Sequence, residues 1–230
     1  MKRAIRAVSL MMLGIILCSI FFHNRQLHSL WQEMHTNYIV LLNQSAIQKE
    51  LLMQESQDEN LQKLQEKVVL IRYENIGEIK NEELARSATP YILKMNGTTS
   101  VAFPDTFLLT QEDADACLID YNTAIALFGS TNVVGKEVVY NEHTYYIYGL
   151  VESKQPVFVC LDEMNKNDES YYYQVAIVHA DSKEAMEEIT KQLKFYFGIE
   201  GKTYPLWIFE LALDGVVFIT NRFSHYVSNR

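Results

Sequence analysis

"ALFGSTNVVGKEVVYNEHTYYIYGLV", residues Ala126 to Val151, is the most patterned stretch of the chain. A short apolar run ends at Gly129, a residue type that readily takes the left-handed conformation closing a helix. After a polar gap, Gly135-Lys136 turns the chain into two segments, Glu137–Tyr140 and Thr144–Val151, with Asn141-Glu142-His143 between them. Their residues alternate in character, which is the period of a half-buried strand. The stretch therefore reads as a helix end, a tight turn and a hairpin. Every position in it has a structural reason, and none needs to react.

Working outward, "ACLID" (Ala116–Asp120) reads as a buried strand, and Asn122 or Thr123 caps the helix that ends at Gly129. Before it, Thr110 with Asp113 three residues on is expected to open a short helix. Asn96-Gly97, between two alternating segments, is a hairpin cue. Downstream, "PVFVCLD" is one strand and "YYYQVAIVH" another. Asp181 is expected to cap the helix of "SKEAMEEITKQLKFYF", with Glu184 reaching back to the cap. Its apolar stripe is Met186, Ile189, Leu193 and Tyr196, and Gly198 ends it. Helices between strands of this kind pack on a sheet, so the fold class is α+β with a mixed sheet.

The N-terminal part reads differently. Lys2, Arg3 and Arg6 precede an uncharged run, Ala7 to Phe22. With snorkelling by Arg6 this is long enough for a membrane span, and the basic flank places the N-terminus in the cytoplasm. A cleaved signal peptide is the competing reading, but it wants small residues at the cleavage site, and Phe21-Phe22 stand there. From Asn24 to Ile71 there is neither proline nor glycine, and Leu27, Trp31, Met34, Tyr38 and Leu41 step by fours and threes. That spacing predicts a long juxtamembrane helix. A continuous one would reach on the order of 70 Å, so a break is expected near Ser56 to Asn60. It would be either a stalk, open to pairing with a second helix, or a helix folded back on its domain.

The organisation expected is a transmembrane anchor over 1–23, a helical stalk over 24–76, an α+β domain over 77–200 and an apolar segment over 201–230. Within the last, Tyr204 to Phe223 is apolar enough to be a second span. Glu210 and Asp214 in its middle oppose that, at roughly 2.5–3.5 kcal/mol each, and favour an interfacial helix.

Reactive constellations are sparse. A net charge of −9 argues against nucleic acid, whose phosphates require a basic face. His23, His28, His35, His143, His179 and His225 are scattered. Asp113, Asp115 and Asp120 lack calcium-loop spacing and its central glycine. No nucleophile elbow, phosphate-binding loop, dinucleotide fingerprint or zinc-protease motif occurs. No catalytic, cofactor-binding or metal-ligating residue is nominated, and no cofactor is expected. Of the three cysteines, Cys18 lies in the apolar leader. Cys117 and Cys160 sit in strand-like runs, and either a disulfide between them or two buried thiols fits.

The stretch from Cys117 to Ser153 resembles the motif of the MacB-like periplasmic core domain of FtsX-type ABC transporter permeases. The matching residues are Ala124, Leu127, Phe128 and Gly129, then Val134, Gly135, Lys136, Tyr146, Ile147 and Gly149. The order of elements from Gly77 to Phe197 agrees more loosely. The resemblance implies a non-enzymatic extracytoplasmic domain, anchored in lipid by its N-terminal span. It also implies ABC transporter ATPase or permease subunits as partners. A full permease of this type carries three spans after the domain, whereas here at most one follows, so an accessory or permease-derived component is expected. The alternative is a standalone extracytoplasmic ligand-binding or sensing domain, with a pocket on its Tyr-rich sheet.

Overall fold

Two short apolar runs form fully covered strands. Ala116–Asp120 and Val157–Leu161 are buried at every position, as expected of strands covered on both faces. The computed structural model describes residues 37–42, 46–48, 59–97, 99–102, 109, 113–162, 170–206 and 215–217. Its strands are β1 (Asn37–Leu42), β2 (Ala46–Gln48), β3 (Val68–Ile76), β4 (Ile79–Asn81), β5 (Arg86–Ala88), β6 (Tyr91–Asn96) and β7 (Ala116–Asp120). They continue with β8 (Glu137–Tyr140), β9 (His143–Val151), β10 (Val157–Leu161), β11 (Ser170–Tyr172), β12 (Val175–His179) and β13 (Gly201–Pro205). The helices are α1 (Glu59–Gln65), α2 (Tyr121–Phe128) and α3 (Lys183–Phe197), with a 3-10 turn at Thr99–Val101.

Eleven of the strands make one mixed sheet, in the order β13-β1-β12-β3-β6-β10-β7-β9-β8-β4-β5, while β11 and β2 pair separately. β10 runs parallel to β6 and antiparallel to β7, and β7 runs parallel to β9. Because side chains alternate across a strand, the central strands β1, β3, β6, β7, β10 and β12 each feed two cores. On one face Ile39, Val69, Ile71, Leu93, Val159 and Ile177 join a single apolar cluster, which also takes in Leu109, Val216 and Val217. The opposite face carries two clusters. Helices α1 and α3 cover one, placing Leu61, Leu64, Met186, Ile189, Leu193 and Phe197 against Val40, Leu70 and Val178. Helix α2 covers the other, with Ala124 and Leu127 beside Ile119, Phe158 and Cys160.

The hairpin read from residues 137–151 is present, closed by Asn141 and Glu142 with φ of 50° and 65°. Positive φ at both central residues is the turn geometry that matches strand twist. Helix α2 ends at Gly129 in the left-handed conformation, φ 69°, and Gly135 has φ 80°. Gly135→Val is therefore expected to cost about 1–3 kcal/mol, lowering the thermal midpoint by several degrees. Nothing lies within 4 Å of where its Cβ would sit, so this variant reports backbone strain alone. Gly135→Asn, which tolerates that conformation, should recover most of the loss, and equal melting of all three proteins would refute the turn assignment.

Several expectations are corrected. The long helix over residues 24–76 is not formed in its described part: β1, β2 and β3 are strands and only α1 is helical. Tyr38 and Leu41 do fall at helical spacing, but Ile39 and Val40 between them and Leu42 after them are buried as well, and a run buried on both sides suits a strand. The sheet thus takes in residues before Gly77. Asn96-Gly97 makes no hairpin, since the chain passes into the 3-10 turn and β6 pairs with β3 and β10. Helix α2 is capped by Asp120 and not by Asn122 or Thr123, and α3 by Ser182 and not by Asp181. Phe197 replaces Tyr196 in the buried stripe. "YYYQVAIVH" divides into β11 and β12.

The Tyr204–Phe223 segment starts in edge strand β13, and Gly215–Val217 are buried, with Val216 and Val217 inside the first core cluster. Among the described residues no helix is long and apolar enough to cross a membrane. The anchor over 1–23, the break near Ser56 and the helix at Thr110 fall largely or wholly outside the described residues.

Candidate functional site

Asp120 is where strand, helix and hairpin motif meet. It is the last residue of β7 and the N-cap of α2, with extended backbone angles. Its Oδ1 accepts from the amides of Asn122 (2.8 Å) and Thr123 (3.2 Å). Its Oδ2 accepts from the Thr123 hydroxyl and from the amide of Val157 at 2.8 Å. One fully buried carboxylate therefore closes the start of a helix and ties it to the first residue of the neighbouring strand β10. Capping supplies acceptors for orphan helix amides. The bond to Val157 adds a tertiary link that a cap alone would not make.

A second polar feature divides the two clusters on the helix-bearing face. Cross-strand register sets Arg72 of β3 opposite Lys94 of β6, and Lys94 opposite Cys160 of β10. Arg72 bonds to Asp162 through Nη2 and lies 3.4 Å from Glu74. Lys94 reaches the same Glu74 oxygen at 3.3 Å, and the Tyr140 hydroxyl donates to the other Glu74 oxygen at 3.2 Å. The Asp162 side chain is 0% exposed, against 27% for Arg72 and 18% for Lys94. Burial raises the Asp162 carboxyl above its ordinary range, against the pull of the Arg72 guanidinium and the Tyr173 hydroxyl. Burial, aided by the Glu74 charge, pushes the Tyr140 phenol up to about 12.

Chemically, this seam balances two cations against two carboxylates. It offers neither an activated nucleophile nor a convergent set of metal donors. Cys160, beside it, is pushed up to about 12 by burial, and burial also raises Cys117, so neither thiol is a ready thiolate. Among the described residues no group of three or more His, Cys, Asp or Glu stands close enough to hold a metal ion.

The sequence-singled residues are dispersed. His143 pairs with Asp115 at 2.8 Å on the surface, joining β9 to the start of β7. Lys136 sits over the Phe128 ring at 5.2 Å, a surface contact worth about 0.5–1 kcal/mol. His179 bonds to Asn37 at 2.8 Å and aligns β12 with β1. Cys117 and Cys160 are both buried and unbridged, yet they are direct cross-strand partners. His23, His28, His35 and His225 fall outside the described residues. The seam residues were not singled out from the sequence. The available signal was a Lys within the apolar run Tyr91–Met95 and an Arg within Val68–Tyr73.

Compared with solved structures, this arrangement of strands and helices matches the extracellular domain of the noncanonic ABC-type transporter YknZ from Gram-positive bacteria, with a TM-score of 0.50. The match spans 72% of this chain and 97% of that one at 14% identity. The periplasmic region of MacB from Actinobacillus actinomycetemcomitans gives the same TM-score at 16% identity, over 74% of this chain and 87% of its own. The fold is that of a MacB-like periplasmic core domain. No family model and no curated protein sequence matches the chain.

Within that MacB-like fold the motif residues are mostly packing and turn positions. Ala124, Leu127 and Ile147 are buried around the α2 cluster. Gly129 ends α2, and Gly135 turns the chain toward β8, with its amide bonded to the Ile147 carbonyl at 2.7 Å. Tyr146 points outward.

Proposed function

We propose that the chain is a membrane-anchored, non-enzymatic extracytoplasmic component of an ABC-transporter-like complex, acting through contacts with transporter subunits. The fold carries this reading, because it spans nearly the whole extracellular domain of YknZ. The basic-then-apolar leader, Lys2 to Phe22, supports an anchor with the folded part on the far side of the bilayer. The polar chemistry of the described domain supports a structural role: Asp120 spends its oxygens on backbone and hydroxyl donors, and Arg72, Glu74, Lys94 and Asp162 engage one another. Partners then bind the surface, and no reaction is assigned to the core.

The test is affinity purification of the full chain, tagged at its C-terminus, from detergent-solubilised membranes of its host. An ABC ATPase and a permease are expected in near-stoichiometric amounts in the eluate. Recovery of the chain from the aqueous cytosolic fraction, free of both, overturns the proposal. A retained small molecule without either subunit would favour a ligand-binding domain instead.

A further inference from the structure

The two buried cysteines sit in a geometry that alternation alone could not reveal. Cys117 of β7 and Cys160 of β10 are paired Cα to Cα in an antiparallel ladder. Both side chains enter the cluster beneath α2, so they lie on the same face of the sheet. The hydrogen bonds around them decide which kind of pair this is. The Asp162 amide donates to the Met95 carbonyl of β6 at 2.8 Å. Cys160, two residues earlier on the strand, therefore also turns its main-chain groups toward β6. The Tyr146 amide of β9 donates to the Asp115 carbonyl at 2.7 Å. Cys117, two residues later, likewise faces β9.

Each cysteine thus directs its amide and carbonyl away from the other, which makes them a non-hydrogen-bonded pair. Such pairs bring Cα atoms to about 4.5 Å, inside the roughly 4.4–6.8 Å range that a disulfide spans. We propose that Cys117 and Cys160 close a cross-strand disulfide, stapling β7 to β10, when the chain folds in the presence of a disulfide-bearing oxidant. The supply of that oxidant in the cell rests on the extracytoplasmic placement proposed above.

In the reaction, one cysteine, as thiolate, attacks a sulfur of the oxidant's disulfide and expels a thiolate, leaving a mixed disulfide. The second cysteine thiolate attacks the protein sulfur of that adduct and expels the other oxidant thiolate. Two protons leave the cysteines and two electrons end on the oxidant. In the closed domain both cysteines are 0% exposed, so bridging belongs to folding and precedes packing of α2 over the pair. Burial holds the completed bridge out of reach of external thiols. The staple acts mainly by restricting the unfolded chain, which it closes across the whole α2–β8–β9 unit.

The test uses the full chain carrying Cys18→Ser, unfolded in denaturant with reductant and refolded either with oxidised and reduced glutathione or with reduced glutathione alone. Remaining thiols are blocked with an alkylating agent before digestion and mass analysis. The expected result in the oxidising buffer is a linked peptide pair containing Cys117 and Cys160. The thermal midpoint should rise by on the order of 10 °C over the reduced protein. A second variant, Cys18→Ser with Cys160→Ala, should show no shift between the two buffers.

Alkylation of both cysteines after oxidative refolding overturns the proposal, as do glutathione adducts without a link, or a link without a midpoint change. Should the bridge form in the refolding buffer while the chain trapped in its host is reduced, the extracytoplasmic placement fails and the bridge stands.

Discussion

Asp120→Ala is expected to remove about 2–4 kcal/mol of stability. The figure combines two costs. Losing an N-cap costs typically about 1 kcal/mol. Leaving the buried Val157 amide and the Thr123 hydroxyl without their acceptor adds roughly 1–3 kcal/mol. Against a total of about 5–15 kcal/mol for a domain, that is a large share. Urea unfolding followed by circular dichroism should register it, with a thermal midpoint lower by on the order of 10 °C. Asp120→Asn keeps one acceptor oxygen and should fall between the two, because it can serve the helix amides or Val157 but not both sets. If Asp120→Ala stays within about 1 kcal/mol of the parent, the carboxylate does not join helix to strand energetically.

Arg72→Met is expected to cost about 3–5 kcal/mol near neutral pH, because it strands the Asp162 carboxylate in a site where its side chain is 0% exposed. The double variant Arg72→Met with Asp162→Leu should regain most of that loss, since replacing a buried pair by apolar groups is often neutral. The dependence on pH has a definite sign. Burial already raises the folded-state pKa of Asp162 above 3.8, so the folded protein holds this proton more tightly than the unfolded chain.

A carboxyl shifted in that direction makes stability fall as pH rises from the unfolded pKa through the folded one. Removing the Arg72 guanidinium deletes the strongest opposing influence and moves the folded pKa higher still. The penalty of Arg72→Met should therefore shrink as pH is lowered into the mildly acidic range and reach its full size only above the variant's folded pKa. A penalty that is constant with pH would show that Asp162 is not the stranded group.

The parts of this fold that were readable are those where one local rule governs. Ala116–Asp120 and Val157–Leu161 are short buried runs, and Glu137–Val151 alternates around a turn that needs positive φ. Helix α3 has an amphipathic stripe and a terminal glycine. The misreadings arose where two rules compete. Tyr38–Leu42 and Val68–Ile71 contain residues at helical spacing inside continuous apolar runs, and periodicity cannot decide such runs. Asp120 reads locally as the end of a strand, and its part as a cap appears only once the chain turns at Tyr121. The ionic seam and the cysteine pair depend on register between strands far apart in sequence, such as Arg72 with Lys94 and Cys117 with Cys160. No local pattern encodes register across a mixed sheet.

The position of β1 carries a consequence for biogenesis. This early strand lies between β12 and β13, and its bond from Asn37 to His179 spans 142 residues. It can find neither neighbour until nearly the whole domain has been synthesised. High contact order of this kind slows folding, and meanwhile Ile39, Val40, Leu41 and Leu42 remain uncovered on a nascent chain, open to aggregation. Completion of the sheet is in this sense a late event, governed by the emergence of β12 and β13 from the ribosome.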